Sequence, residues 1–106
     1  MPILPYRLVD HREITAAVER ATRALTPDVV RIGYSIATDW TGDQSIFFRI
    51  ILSDEAASKE KQLGEIAQSV ESAILSEVNV DELGLQYYFN YRSQSEQASL
   101  NDRAWA

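Results

Sequence analysis

Cysteine is absent from these 106 residues. That excludes a disulfide staple, a thiolate nucleophile and a cysteine-based zinc site, and it makes a reducing cytosol an unforced home. Histidine occurs once, and only four glycines and three prolines punctuate the chain. Gly42 stands without the glycine spacing or the lysine of a phosphate-binding loop. No apolar run approaches the roughly 20 residues that a membrane-spanning helix needs. Arg7, Asp10 and Arg12 break up the start too early for a signal peptide. A cytoplasmic protein without a membrane partner is the expectation. Basic residues are also scarce, 10 Lys+Arg against 16 Asp+Glu for a net charge of −6, which argues against a mainly electrostatic grip on nucleic acid.

What is present is an apolar content of 45%, enough for one core in a chain of this length, so residues 1–106 are expected to form a single domain. The centre, Asp28 to Asp54, alternates with period two. Val30, Ile32, Tyr34 and Ile36 share one face of a first strand. Ile46, Phe48, Ile50 and Leu52 share one face of a second, and Thr38 to Gln44 form a wide turn between them. Before this hairpin, Ile14, Ala17, Val18, Ala21 and Leu25 lie on one helical stripe. That helix is expected to start at Asp10, with a capping box to Glu13 and a staple between Val9 and Ile14, and to stop before Pro27. Residues 1–9, with Pro2 and Pro5, read as an extended arm carrying Ile3, Leu4, Tyr6 and Leu8.

After the hairpin a second helix is expected from about Ala57 to Ser76, with Leu63, Ile66, Val70 and Ile74 inward and a weakly patterned first turn. Leu85 to Arg92 is a third strand with Leu85, Tyr87, Phe89 and Tyr91 on the core face, and residues 93–106 form a polar tail ending near Trp105. The order predicts an α+β, two-layer αββαβ sandwich, ferredoxin-like or KH-like: a three-stranded antiparallel or mixed sheet with two helices on one face. A right-handed crossover would run the third strand parallel to the second. The favoured arrangement sets it beside the first strand instead, as an antiparallel pair.

The helix-strand-strand-helix-strand order resembles two families, the first of them also through the Thr41-Gly42-Asp43 turn, the apolar strand Ile46 to Leu52 and the helix segment Ile66 to Glu71. These are the cytoplasmic domain of cation diffusion facilitators and the bacterial ribosome-binding factor A. The resemblance implies the fold alone. The facilitators' metal-binding histidines have no counterpart, since His11 lies outside the matching segment, and the ribosome factor's basic surface is replaced by an acidic chain.

For chemistry the candidates are thin. His11 falls in a first helical turn beside a capping carboxylate, and Asp39 and Asp43 are turn residues that lack the alternation of a calcium loop. No catalytic residue, cofactor or metal site is assigned. The interaction candidates are Trp40 in the turn, Phe47, Ile51 and Tyr88 on the uncovered sheet face with Val29 nearby, and Arg92 and Gln94 at the polar exit of the third strand. An apolar open face in a small sheet predicts a homodimer, and the whole predicts a non-catalytic interaction module for a protein partner. Two other readings are a small hydrolase or nucleotide-processing enzyme using Asp39, Asp43 and His11, and an RNA-associated factor using Arg31, Arg49, Tyr88 and Arg92.

Overall fold

The computed structural model describes residues 11–105. The arm over residues 1–9, the Asp10 cap and the Val9–Ile14 staple lie outside them. The elements are α1 (His11–Ala24), β1 (Val29–Thr38), β2 (Gln44–Leu52), α2 (Asp54–Ala57), α3 (Glu60–Leu75), β3 (Gln86–Ser93), α4 (Gln94–Leu100) and a closing 3₁₀ turn, Arg103–Trp105. None of the described helices is long and apolar enough to cross a membrane.

The core forms where the helical stripes meet the inward sheet face. Ile14, Ala17, Val18 and Ala21 of α1 and Val70 and Ile74 of α3 are buried against Ile32, Ile46, Phe48, Ile50 and Leu52. Phe48 stacks on Phe89 of β3 with ring centroids 4.9 Å apart. The result is an α+β fold with a mixed three-stranded sheet and α1 and α3 on one face, consistent with a ferredoxin-like or KH-like arrangement.

Four details differ from the sequence expectation, each for a local reason. The sheet order is β1-β2-β3, with β3 parallel to β2, so the favoured pairing of the third strand with the first does not occur. β2, whose run Ile46, Phe47, Phe48, Ile50, Ile51, Leu52 is apolar on both faces, takes the central position, where a strand covered on both faces is commonly found. Second, a register shift between Val29 and Arg31 turns Val29 into the core, while Val30 is 41% exposed. Period two holds only from Arg31 onward.

Third, the helix expected from Ala57 begins as a separate turn. The Ser53 hydroxyl accepts from the Ala56 N–H at 3.1 Å and caps α2, and α3 restarts at Glu60. Fourth, the tail is not unstructured polar chain. Ser93 and Glu96 form a reciprocal capping box that starts α4, and Asn101 ends it in the left-handed conformation at φ 48°.

Candidate functional site

The strand register lays out the sheet face opposite α1 and α3 as four rows. Arg31, Ile51 and Arg92 stand side by side, then Gly33, Arg49 and Asn90, then Ser35, Phe47 and Tyr88, then Ala37, Ser45 and Gln86. No carboxylate occurs among these twelve residues, although the chain has 16 Asp+Glu.

The two ends of the face are closed differently. At the Ile51 end, α4 and the 3₁₀ turn fold over the sheet. Ile51 is only 7% exposed and Trp105 8%, and neither joins the main core. Arg92 holds this cover in place. Its guanidinium lies 4.3 Å from the centre of the Trp105 ring, donates to Gln97 Oε1 at 2.9 Å and sits 3.4 Å from the Asp102 carboxylate. From the other side Asp54 accepts the Ser95 N–H at 2.9 Å and its hydroxyl at 2.5 Å, which holds the Asp54 carboxyl below the usual carboxylate range. Ile51 and Val29 are therefore not part of an open apolar surface. Ile51 is sealed by the chain's own tail, and Val29 belongs to the opposite face.

At the other end the face is built around Asp39. This side chain is 8% exposed and accepts five hydrogen bonds. Oδ1 takes the Thr41 N–H at 2.9 Å, the Thr41 hydroxyl at 2.6 Å and the Asp43 N–H at 3.0 Å. Oδ2 takes the Ser45 hydroxyl at 3.0 Å and the Tyr88 hydroxyl at 2.8 Å. The Thr41 hydroxyl, followed by the Tyr88 hydroxyl and the Asp43 and Thr41 amides, holds the Asp39 carboxyl far below its ordinary value despite its burial. The same contact pushes the Tyr88 phenol up. Asp39 thus locks the wide turn and pins β3 to it, with Gly42 at φ 90° supplying the tight reversal.

The consequence is an aromatic ledge. Tyr88 stacks on Phe47 with centroids 5.2 Å apart, and Trp40 leans on Tyr88, tilted, at 5.0 Å. Phe47 and Tyr88 are half-buried, but Trp40 is 79% exposed. Trp40 is thus an exposed indole carried on a heavily hydrogen-bonded turn and touching the ring of Tyr88. Arg49 stands one row from Phe47 and Tyr88 and Arg31 one row further, beside Ile51, and neither arginine has a hydrogen-bond or ion-pair partner among the described residues. Gln94 is exposed at the start of α4 and lines a shallow cleft with Val30, Arg31, Ile51, Gln97 and Ala98.

The sequence candidates divide accordingly. Trp40, Phe47 and Tyr88 converge; Ile51, Arg92 and Gln94 belong to the tail-covered end. His11 is elsewhere, with its ring Nδ1 2.6 Å from the Tyr34 hydroxyl and Tyr34 packed on the helix-facing side of the sheet. The sheet separates His11 from Asp39, and both Asp39 carboxylate oxygens are already engaged, by Thr41 and Asp43 in the turn and by Ser45 and Tyr88 on the strands. No group of three or more His, Asp or Glu able to hold a metal ion is present among the described residues. Sequence reading overlooked the Asp39–Tyr88 link, for which a strand position 49 residues away offers no local signal. It also overlooked the Ser93/Glu96 capping box, whose signal was present. No family model, curated protein or solved structure matches the chain.

Proposed function

We propose that this chain is a non-catalytic protein-interaction module, homodimeric and cytoplasmic, accessory to a protein partner that it contacts through the Trp40–Tyr88–Phe47 ledge. The observation that carries this reading is the mounting of Trp40: 79% exposed, resting on Tyr88, on a turn fixed by the five hydrogen bonds of Asp39. Exposed tryptophan on a preorganised support binds at a reduced ordering cost, and tryptophan is among the residue types that dominate binding energy at protein interfaces. Asp39 is occupied by its five hydrogen bonds, so the ledge offers a partner mainly aromatic surface.

The test is a pull-down with the tagged chain and its Trp40→Ala variant, with the fold of each followed by circular dichroism. The reading requires that the variant keep its fold and lose the captured partner. Equal capture by both chains overturns it. Binding of single-stranded RNA that weakens steeply with salt would favour the nucleic-acid reading instead. That reading is disfavoured by the engagement of Arg92 with Asp102 and Trp105.

A further inference from the structure

β1 is an edge strand, and between Val30 and Thr38 it makes no backbone hydrogen bonds other than those to β2 among the described residues. An edge of this length normally carries proline, inward charge or a covering segment. From Arg31 to Ala37 this one has no proline and no carboxylate, and Arg31 is its one charge. The outward face is small, with Gly33, Ser35 and Ala37, while Ile32, Tyr34 and Ile36 line the helix-facing side. Alongside the edge, a groove of about 270 Å³ runs between α1 and β1, lined by Val18, Thr22, Val30 and Ile32 together with the charged Glu19, Arg23 and Arg31.

We propose that this edge is where two copies meet, pairing β1 with β1 antiparallel about a two-fold axis at Tyr34. The inference deepens the homodimeric reading above and rests on it. The register is selected by the sequence of the strand itself. With Tyr34 opposite Tyr34 of the second copy, Ile32 faces Ile36, Gly33 faces Ser35 and Arg31 faces Ala37. Every apolar side chain meets an apolar one on the helix side, Gly33 meets Ser35 on the other, Ala37 leaves room for the Arg31 stem, and the two arginines stay apart. Ile36 of the second copy then stands beside the groove next to Ile32 and Val18. A chain of net charge −6 can approach itself here because the strand brings no negative charge to the contact. The product is a six-stranded sheet in which the Trp40 ledges, on the far side of β2 and β3, remain open to a partner.

Because the chain lacks cysteine, a single introduced thiol reports the contact cleanly. Directly opposed antiparallel residues have Cα atoms about 4.5–5.5 Å apart, within disulfide reach. Mild oxidation of Tyr34→Cys is expected to give a covalent dimer, whereas Ala98→Cys on α4 stays monomeric on a denaturing gel. On the unmodified chain, sedimentation should show a dimer mass, and β1 amides should exchange faster on dilution through its dissociation. Ile36→Lys should raise the dimer Kd about tenfold or more. A monomer mass at every concentration overturns the proposal, as does a dimer cross-linked by Phe47→Cys and not by Tyr34→Cys. The monomer result leaves the ledge untouched, the Phe47 cross-link would place the ledge in the dimer contact, and the Trp40→Ala pull-down reads the ledge separately.

Discussion

The Tyr88 hydroxyl donates to Asp39 Oδ2 across 2.8 Å, joining a turn residue to the strand that lies 49 positions later in the chain. This one bond sets the height and tilt of the aromatic ledge, because Trp40 follows Asp39 directly and rests on the ring of Tyr88. Tyr88→Phe keeps the ring and removes the donor. It is expected to lower Tm by a few degrees and to loosen Trp40, seen as a change in tryptophan fluorescence anisotropy, while far-UV circular dichroism is unchanged.

Acid should unfold the protein through its carboxylates. Asp39 and Asp54 are both held below their ordinary values, Asp39 first by the Thr41 hydroxyl and Asp54 first by the Ser95 hydroxyl. A carboxyl lowered in the folded state contributes stability above its unfolded value, near 3.9, and that contribution is lost as pH falls through the folded value. Denaturant midpoints are therefore expected to be flat from neutral pH to about pH 5 and to fall below about pH 4. Asp39→Asn lowers the midpoint at neutral pH and flattens the acid limb.

The inner face should be intolerant of truncation. Phe48 is fully buried between the helices and Phe89, so Phe48→Ala leaves a void and should cost about 3–5 kcal/mol in chemical denaturation. For a domain of marginal stability that is a large share of the total.

The tail should open independently of the core. Trp105 and Ile51 are buried outside the main cluster, and α4 has no buried residue of its own. Trp105→Ala is expected to speed hydrogen exchange in α4 and at Ile51 with protection in α1 and α3 unchanged. Equal loss of protection throughout the chain would show that the tail is integral to the core.

The two tryptophans should behave oppositely. Trp40→Ala is expected to change stability by less than about 0.5 kcal/mol, as surface substitutions do, and to remove the red-shifted, quencher-accessible part of the emission. The blue-shifted emission that remains belongs to Trp105.

Much of this was legible in the residues alone. The stripe Ile14, Ala17, Val18, Ala21 and the alternation Ile46, Phe48, Ile50, Leu52 define which faces are buried, because helical and strand periodicities are local properties of the backbone. They suffice for the element order and the two-layer α+β architecture. Ser93 with Glu96 was equally local and marked a helix where composition suggested a polar tail. Tertiary structure alone decided where β3 docks, which half of the outer face the tail seals, and that Asp39 is spent on Tyr88. Each depends on contacts between residues far apart in the chain, where strand alternation assigns a side chain to a face but not to a neighbour. The sequence by itself determined that Phe47 and Tyr88 point away from the core. Only the fold stacked them beneath Trp40, because the parallel register of β2 with β3 brings Phe47 level with Tyr88.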